Sequence, residues 1–352
     1  MSTAGELVRK LLHAHAKGDH AAFLAAAEAY IAEERRKNHH VLANDLERAL
    51  LNGSYDSRTS AGTLPRGLNL LGLAEHDLPR DSERGAVLVE IVEPRRTLDD
   101  LVLAVEAREG LERIVAEQGR ADILRTHGLR PISKALFCGP PGCGKTVAAE
   151  AVAQALYLPL VLVRFDAVVS SYLGETAANL RKVFSFAASR QMVMLFDEFD
   201  AIGKHRTAIE EHGELKRVVN AFLQMLDGFR GESLLLAATN HQGLLDPALW
   251  RRFDEVVFFE RPNAEAIAEI LRRVTRQVGL APGVVLIERA RDLVGATHAD
   301  AERIGLDAVK RTVLDHRAHV TAEALDQAIQ RYFVRRALTT RDEAGPSVSD
   351  VE

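Results

Sequence analysis

Hydrophobic and polar positions follow two different rhythms along the chain. Between residues 134 and 259, short apolar runs typical of buried strands alternate with stretches of helical spacing. These runs are KALFC, LPLVLVRF, MVMLF, SLLLAATN and EVVFF. Strands separated by helices in this manner predict an α/β fold, with a parallel sheet covered by helices on both faces.

The first part of the chain has a helical pattern without strands. Residues 1–52 predict a small helical bundle, because TAGE forms a capping box, Asp19 can cap a second helix, and leucines recur every fourth residue later on. Such a bundle could bind a partner or client. Residues 53–82 are rich in Gly, Pro, Ser and charge, and this composition is typical of a linker.

The remaining residues divide by composition into three parts. The alternating strands and helices occupy residues 83–260, and the pattern from 261 to 338 is helical throughout. We therefore expect an α/β nucleotide-binding subdomain followed by a small all-helical subdomain. Residues 339–352 are polar, and we expect them to form a disordered tail.

Composition and charge narrow the class of protein. The formal net charge of −5 argues against nucleic acid as the main partner. The apolar runs are too short to span a bilayer, and the first residues lack the apolar core of a secretion signal. Only two cysteines occur, Cys138 and Cys143, so a disulfide framework is excluded. We expect a soluble cytoplasmic protein with no membrane partner.

A phosphate-binding loop, GPPGCGKT, lies between the strand KALFC and the helix TVAAEAVAQAL. Glycines let successive backbone N–H groups curl around phosphates, Lys145 can bridge the outer phosphates, and Thr146 can hold Mg²⁺. The predicted nucleotide-binding residues are Gly139, Pro140, Pro141, Gly142, Cys143, Gly144, Lys145, Thr146 and Val147. Cys143 is interpreted as a small filler that contributes its backbone.

Two acidic residues follow the apolar strand VMLF. Carboxylates at the end of a buried strand need a cation or a proton to tolerate each other, and Mg²⁺ beside a nucleotide supplies one. We therefore expect Asp197 to bind the metal and Glu198 to accept a proton from the attacking water. Asn240, at the end of the next strand, can hold the same water or sense the terminal phosphate. Since no guanine-reading motif is evident, we expect the nucleotide to be ATP.

The motifs GPPGCGKT, MLFDEFD, LLLAATN and LDPALWRRFDEVVFFERP, in this order and spacing, resemble the AAA ATPases. The short arginine region is similar to that of the meiotic group, which includes katanin, spastin and the vacuolar-sorting ATPases. The resemblance covers residues 98–337. It implies a P-loop NTPase core of five parallel strands, a helical lid, a ring of usually six subunits, and ATP held between neighbours.

The same resemblance assigns roles to further residues. Arg251 and Arg252 match the arginine fingers that reach the terminal phosphate of ATP in the neighbouring subunit. Tyr172 and Leu173 match the first pore loop, where an aromatic side chain can grip many sequences. A second pore loop would lie near residues 205–212. Glu214 and Arg217, on one helix face, would then serve the subunit boundary.

The sequence departs from the family pattern in the lid. His298 stands where glycine is usual, and no arginine is evident as a lid sensor. Adenine contacts are assigned only to the neighbourhood of Leu101 and Val102. The chain also lacks the HExxH zinc motif of the membrane proteases that carry an AAA module.

These residues together predict a Mg²⁺-dependent ATPase ring that pulls a protein client through a central pore. Two alternatives remain open from the sequence. The ATPase could be the regulatory partner of a separate effector, such as a subtilisin-like protease. It could also be a nucleotide switch that changes shape without threading a substrate.

Overall fold

A computed structural model describes residues 7, 9, 10, 20–36, 46, 77–168, 173–198, 212–240 and 250–343. Within residues 1–52 one helix is described in full, α1 (His20–Arg36). It buries Ala27 and Ile31, which are spaced one helical turn apart. The rest of the predicted bundle and residues 53–76 of the predicted linker lie outside the described residues.

The described residues form a six-stranded sheet with the order β1-β3-β4-β5-β2-β6. The strands are β1 (Val89–Val92), β2 (Lys134–Cys138), β3 (Leu160–Val163), β4 (Val193–Phe196), β5 (Leu234–Thr239) and β6 (Glu255–Phe258). Strands β2 to β6 pair in parallel and coincide with the predicted apolar runs. The predicted α/β fold with a parallel core is therefore confirmed.

The sixth strand, β1, was not predicted from the sequence. It lies at the edge of the sheet and pairs antiparallel with β3, from Val89 opposite Val163 to Val92 opposite Leu160. Its segment VEIV is short and half-buried in part, so it gives only a weak strand signal. The pairing of β1 with β3 joins two segments far apart in the sequence, and no local pattern specifies it.

Helices cover both faces of the sheet. The helices of this α/β part are α2 (Val105–Gly119), α3 (Ala121–Thr126), α4 (Lys145–Ala155), α5 (Phe165–Val168), α6 (Leu173–Ala188) and α7 (His212–Gly228). Successive strand residues enter opposite cores: Leu136 packs in a cluster with α6 and α7 residues, and Phe137 packs with residues of α2 and α4. This alternation explains why the strand runs are continuously apolar.

The helical segment after β6 forms its own core. Its helices are α8 (Ala264–Thr275), α9 (Leu286–Asp292), α10 (His298–Leu314) and α11 (Ala322–Glu343). Ile267, Leu271, Ile304 and Leu325 are buried together between them. Helix α11 continues to Glu343, beyond the residue at which the tail was expected to begin, since each added helical residue gains a backbone hydrogen bond.

A tight turn before β1 is fastened to helix α6. Asp81 accepts hydrogen bonds from the backbone N–H groups of Glu83 and Arg84, both at 2.8 Å, and from the Asn179 amide at 2.6 Å. The Lys182 ammonium donates to the Arg80 carbonyl at 2.8 Å. Residues 77–82 of the segment that the sequence predicts as a linker are therefore part of the folded structure.

Across the described part of the chain, no helix combines the length and the apolar character that crossing a membrane requires.

Candidate functional site

The phosphate loop lies between the end of β2 and the start of α4. Gly139, Gly142 and Gly144 have φ angles of 147°, 73° and 93°, a region that side chains disfavour. A Cβ atom on Gly139 would lie 2.1 Å from the carbonyl oxygen of Phe259. Glycine is therefore required at Gly139 both by its backbone conformation and by the close approach of the β6 end.

Lys145 is buried at the first position of α4, with 6% of its surface exposed. Its Nζ donates to the carbonyl oxygens of Gly139 at 2.7 Å and Pro140 at 2.9 Å. The helix is preceded by Gly144, which has no side chain to cap it, so its first N–H groups and its partial positive charge face the loop. A buried ammonium at an uncapped helix start fits a phosphate anion.

Thr146 and Asp197 meet where α4 begins and β4 ends. The Thr146 hydroxyl donates to Asp197 Oδ2 at 2.6 Å, and Asp197 Oδ1 accepts the backbone N–H of Glu198 at 2.8 Å. Hydroxyl and carboxylate oxygens are the ligands that Mg²⁺ prefers, so this pair fits the metal. When bound, Mg²⁺ neutralises charge on phosphate oxygens.

Glu198 adopts a backbone conformation that non-glycine residues rarely show. Its φ angle is 51°, and its side chain is exposed at the carboxyl edge of the sheet. Residues in this left-handed region carry strain and occur often at functional sites. This conformation, directly after Asp197, fits a carboxylate held at the mouth of the site.

Asn240 directly follows β5, the strand that pairs with β2 before the loop. Residue Thr239 of β5 is in register with Cys138 of β2, and the Gly139 N–H donates to the Thr239 carbonyl at 3.3 Å. Asn240 follows directly and is half-buried. The carboxyl ends of β2, β4 and β5 thus bring Asn240, the loop and the acidic pair to one edge of the sheet.

The two arginines lie at the opposite end of the strands, on the side where the amino ends of the parallel strands are. Arg251 is exposed and Arg252 half-buried, and both precede the amino end of β6. Strand β6 is parallel to β2, with Glu255 opposite Ala135 and Phe258 opposite Cys138. The four residues of β6 therefore separate the arginines from the loop by roughly 13 Å along the strand axis. Within one chain, the fold does not bring these arginines to the phosphate loop.

The start of lid helix α10 contacts the phosphate loop. The Ala299 N–H donates to the Gly142 carbonyl at 3.1 Å, and a Cβ on Gly142 would lie 2.9 Å from Thr297 Oγ1. Between these residues, His298 has a buried Nδ1 with no hydrogen-bond partner among the described residues. Burial lowers the pKa of His298, although a hydrogen bond with the Val102 backbone acts in the opposite direction. Val102 itself packs against the lid core.

Several predicted site residues lie outside the described residues. Tyr172 is one of them, and α6 begins at the next residue, Leu173. Most of the predicted second pore loop is likewise outside, and Glu214 and Arg217 lie on α7. Cys143 is fully buried, which raises the pKa of its thiol, so its side chain fills the core beneath the loop.

The sequence did not reveal Asp227, which accepts a hydrogen bond from Arg252 Nε at 2.8 Å. Asp227 lies in the last turn of α7, where the negative end of the helix disfavours a carboxylate. An acidic residue at a helix end is a weak signal, and its partner is 25 residues away in the sequence.

The sequence is similar to a known family and to several known proteins. Residues 135–261, which run from β2 to just past β6, match the model of the ATPase family associated with various cellular activities (AAA). The AAA family ATPase y4kL of Sinorhizobium fredii is 41% identical over 336 residues, which cover 95% of this chain and 96% of that protein. The similarity to this relative therefore extends well beyond the residues that the family model matches.

Two further relatives are longer than this chain. The ATP-dependent zinc metalloprotease FtsH 3 of Sphaerobacter thermophilus is 32% identical over 81% of this chain and 60% of its own length. The proteasome-activating nucleotidase of Thermococcus kodakarensis is 32% identical over 72% of this chain and 66% of its own length. This chain belongs to the AAA family of ATPases, and it hydrolyses ATP in a reaction that uses Mg²⁺.

Proposed function

We propose that this ATPase works as a ring, usually of six copies, in which each copy completes the ATP site of its neighbour. The observation that carries this proposal is the separation between the arginine pair and the phosphate loop across the sheet. A guanidinium stabilises charge that develops on the transferred phosphoryl group only when it reaches that group. Because Arg251 and Arg252 cannot reach the loop of their own chain, a second copy must supply them.

Within one ATP site, we propose roles that the geometry described above supports. Lys145 and the backbone of residues 139–147 hold the phosphates, while Thr146 and Asp197 hold Mg²⁺. Glu198 accepts the proton of the attacking water, and Asn240 positions that water. We assign the adenine contacts to the neighbourhood of Leu101 and Val102, and Val102 packs against the core that includes α10 residues.

Mixing two inactive variants tests the proposal. Lys145→Ala removes the phosphate contact, whereas Arg251→Ala removes the cation offered to the neighbour. At mixed boundaries, an Arg251→Ala copy with an intact loop would receive an intact arginine from a Lys145→Ala copy. We expect ATP hydrolysis to return when the two are mixed, and to depend on protein concentration. Absence of rescue at every ratio would contradict the proposal.

We further propose that the ring remodels proteins, unfolding or disassembling a client that the N-terminal helical region selects. Two relatives, named for ATP-dependent proteolysis and for proteasome activation, support an action on proteins. By the family resemblance, Tyr172, the residue before α6 in the sequence, matches an aromatic pore residue. An aromatic side chain there can hold segments of any sequence, since stacking and apolar contact need no particular partner.

The pulling step is tested with Tyr172→Ala and Tyr172→Phe. The number of client molecules unfolded per ATP hydrolysed should fall by about tenfold or more in Tyr172→Ala, and the phenylalanine variant should retain it. If the native protein and both variants unfold the same number of client molecules per ATP, Tyr172 has no role in the pulling step.

A second candidate function is that of a regulatory partner for a separate effector such as a protease. The similarity to a nucleotidase that activates the proteasome favours it. The two functions predict different proteins bound to a ring that hydrolyses ATP slowly. Proteins captured by a Glu198→Gln variant with ATP should be dominated by a client if the ring remodels proteins, and by a protease if it serves one.

A further inference from the structure

The two adjacent arginines at the amino end of β6 are held very differently. Arg252 Nε lies 2.8 Å from Asp227 Oδ2, and the two side chains are 30% and 48% exposed. Arg251 is exposed, and it makes no hydrogen bond or ion pair with another described residue. The family resemblance assigns the finger role to both arginines, whereas their contacts in this structure indicate two different roles.

The neighbours of Arg251 are anchored on both sides. The Trp250 ring stacks on Phe258 of β6, with centroids 5.8 Å apart and planes at 21°. Phe253 is 8% exposed and belongs to the core that packs against α6 and α7. Asp254 Oδ2 accepts the backbone N–H groups of residues 133 and 134 at 2.9 Å and 3.0 Å. Arg251 is therefore exposed between neighbours that contact β6, the core and the start of β2.

The electrostatics of helix α7 favour the pair that Arg252 forms. Asp227 lies in the last turn of α7, where the helix contributes partial negative charge and no basic residue is present. A guanidinium there is attracted by the carboxylate and by the helix end together. The pair also joins α7, which precedes β5, to the segment that precedes β6.

We propose that Arg251 alone acts as the arginine finger, and that Asp227 is a positioning residue that holds Arg252 as its anchor. This inference rests on the proposed sharing of ATP sites between copies. The Arg252–Asp227 pair fixes the backbone from which Arg251 extends, so that its guanidinium arrives at the neighbour's phosphate in one orientation. A small misplacement of such a group is costly, because its effect depends on geometry.

A double-mutant cycle with a charge reversal tests this division of roles. We expect Arg251→Ala to lower kcat by about 10³ or more, and Arg252→Ala and Asp227→Ala each by roughly tenfold. The double variant Asp227→Ala/Arg252→Ala should be no worse than either single variant, because both remove the same pair. The reversed pair, Asp227→Arg/Arg252→Asp, should recover most of the lost kcat.

Two controls separate positioning from a loss of folding. Asp227→Ala mixed with Lys145→Ala should regain activity, because the latter copy supplies an intact arginine, whereas a merely unstable subunit would not be rescued. The matched pair Arg125–Glu232, at 3.3 Å and 46% and 45% exposed, offers a control at the same sheet edge. Arg125→Ala should leave kcat unchanged, and thermal melting should be measured for every variant.

Two results would overturn the inference. In one, Arg252→Ala is as damaging as Arg251→Ala while Asp227→Ala is harmless, so that Arg252 itself reaches the phosphate. In the other, the reversed pair is as inactive as Arg252→Ala alone. Failure of the proposed ring would look different: Arg251→Ala would not be rescued by Lys145→Ala, whatever the Asp227 cycle shows.

Discussion

The Thr146 hydroxyl donates a 2.6 Å hydrogen bond to Asp197, although the two residues are 51 positions apart in the sequence. The first lies at the start of the helix that follows the phosphate loop, and the second directly follows strand β4. Their side chains therefore offer oxygen atoms to the same point in space. This contact supports the proposal that the two residues hold the same Mg²⁺ ion.

Removal of the Thr146 hydroxyl should raise the Mg²⁺ requirement. In Thr146→Val, we expect the Mg²⁺ concentration for half-maximal ATP hydrolysis to increase by about tenfold or more, because one of two protein oxygen ligands is lost. A Mg²⁺ titration of ATPase activity measures this. Thr146→Ser keeps the hydroxyl and should behave like the native protein, and an unchanged titration curve for Thr146→Val would contradict the assignment.

Replacement of Glu198 by Gln should slow hydrolysis without preventing ATP binding. The amide cannot accept the proton of the attacking water, so we expect kcat to fall by about 10² to 10⁴. Single-turnover hydrolysis and equilibrium binding of a fluorescent ATP analogue measure the two properties. Glu260→Gln changes an exposed carboxylate after β6 and is the matched control. Rapid turnover by Glu198→Gln would remove Glu198 from this role.

Both cysteines should be unreactive in the folded protein. Burial raises the pKa of the Cys138 thiol to about 12 and also raises the pKa of Cys143, so little thiolate forms at pH 8.5. We expect alkylation by iodoacetamide at that pH to be about a hundredfold slower in the native protein than in urea. Mass spectrometry of the two cysteine-containing peptides measures the rates, and fast native labelling of Cys143 would show that the loop opens.

Loss of the Asn179 amide should destabilise the α/β core. Asn179 is 2% exposed and donates to Asp81 at 2.6 Å, so Asn179→Ala leaves a buried carboxylate oxygen without that partner. We expect the free energy of unfolding to fall by about 1–3 kcal/mol. Urea denaturation measures it. Gln191→Ala, which removes an exposed amide that donates to Glu232, should change the free energy of unfolding by at most about 0.5 kcal/mol.

The same turn should make stability depend on acidity. Hydrogen bonds from the Arg84 N–H, the Asn179 amide and the Glu83 N–H lower the pKa of Asp81 to about 2. A carboxyl whose pKa is lower in the folded state than in the unfolded state stabilises the folded protein. This contribution is fully present above the unfolded pKa, near 3.9, and is lost as the pH falls through the folded pKa of about 2. The stability difference between the native protein and Asp81→Asn should therefore shrink from pH 5 to pH 2. Acid titrations followed by circular dichroism measure it, and a constant difference would contradict the shift.

The parts of the fold that the sequence predicted are those with local causes. Strands β2 to β6 were predicted because each is a continuous apolar run between helical patterns, and both faces of the sheet are covered. Strand β1 was not predicted because it is short and because its partner, β3, lies beyond α2, α3, β2 and α4 in the sequence. The turn that Asp81 and Asn179 hold together precedes β1.

The candidate site divides in the same way. The sequence by itself determined the phosphate loop and the acidic pair, since glycine conformation, a helix start and a strand end are properties of neighbouring residues. Only the tertiary structure decided that Arg251 and Arg252 lie at the opposite end of the strands from the loop. It also decided that Arg252 is hydrogen-bonded to Asp227. The physical reason is that strand register and ion pairing join residues far apart in the chain, whose distances are set by packing and by no local pattern.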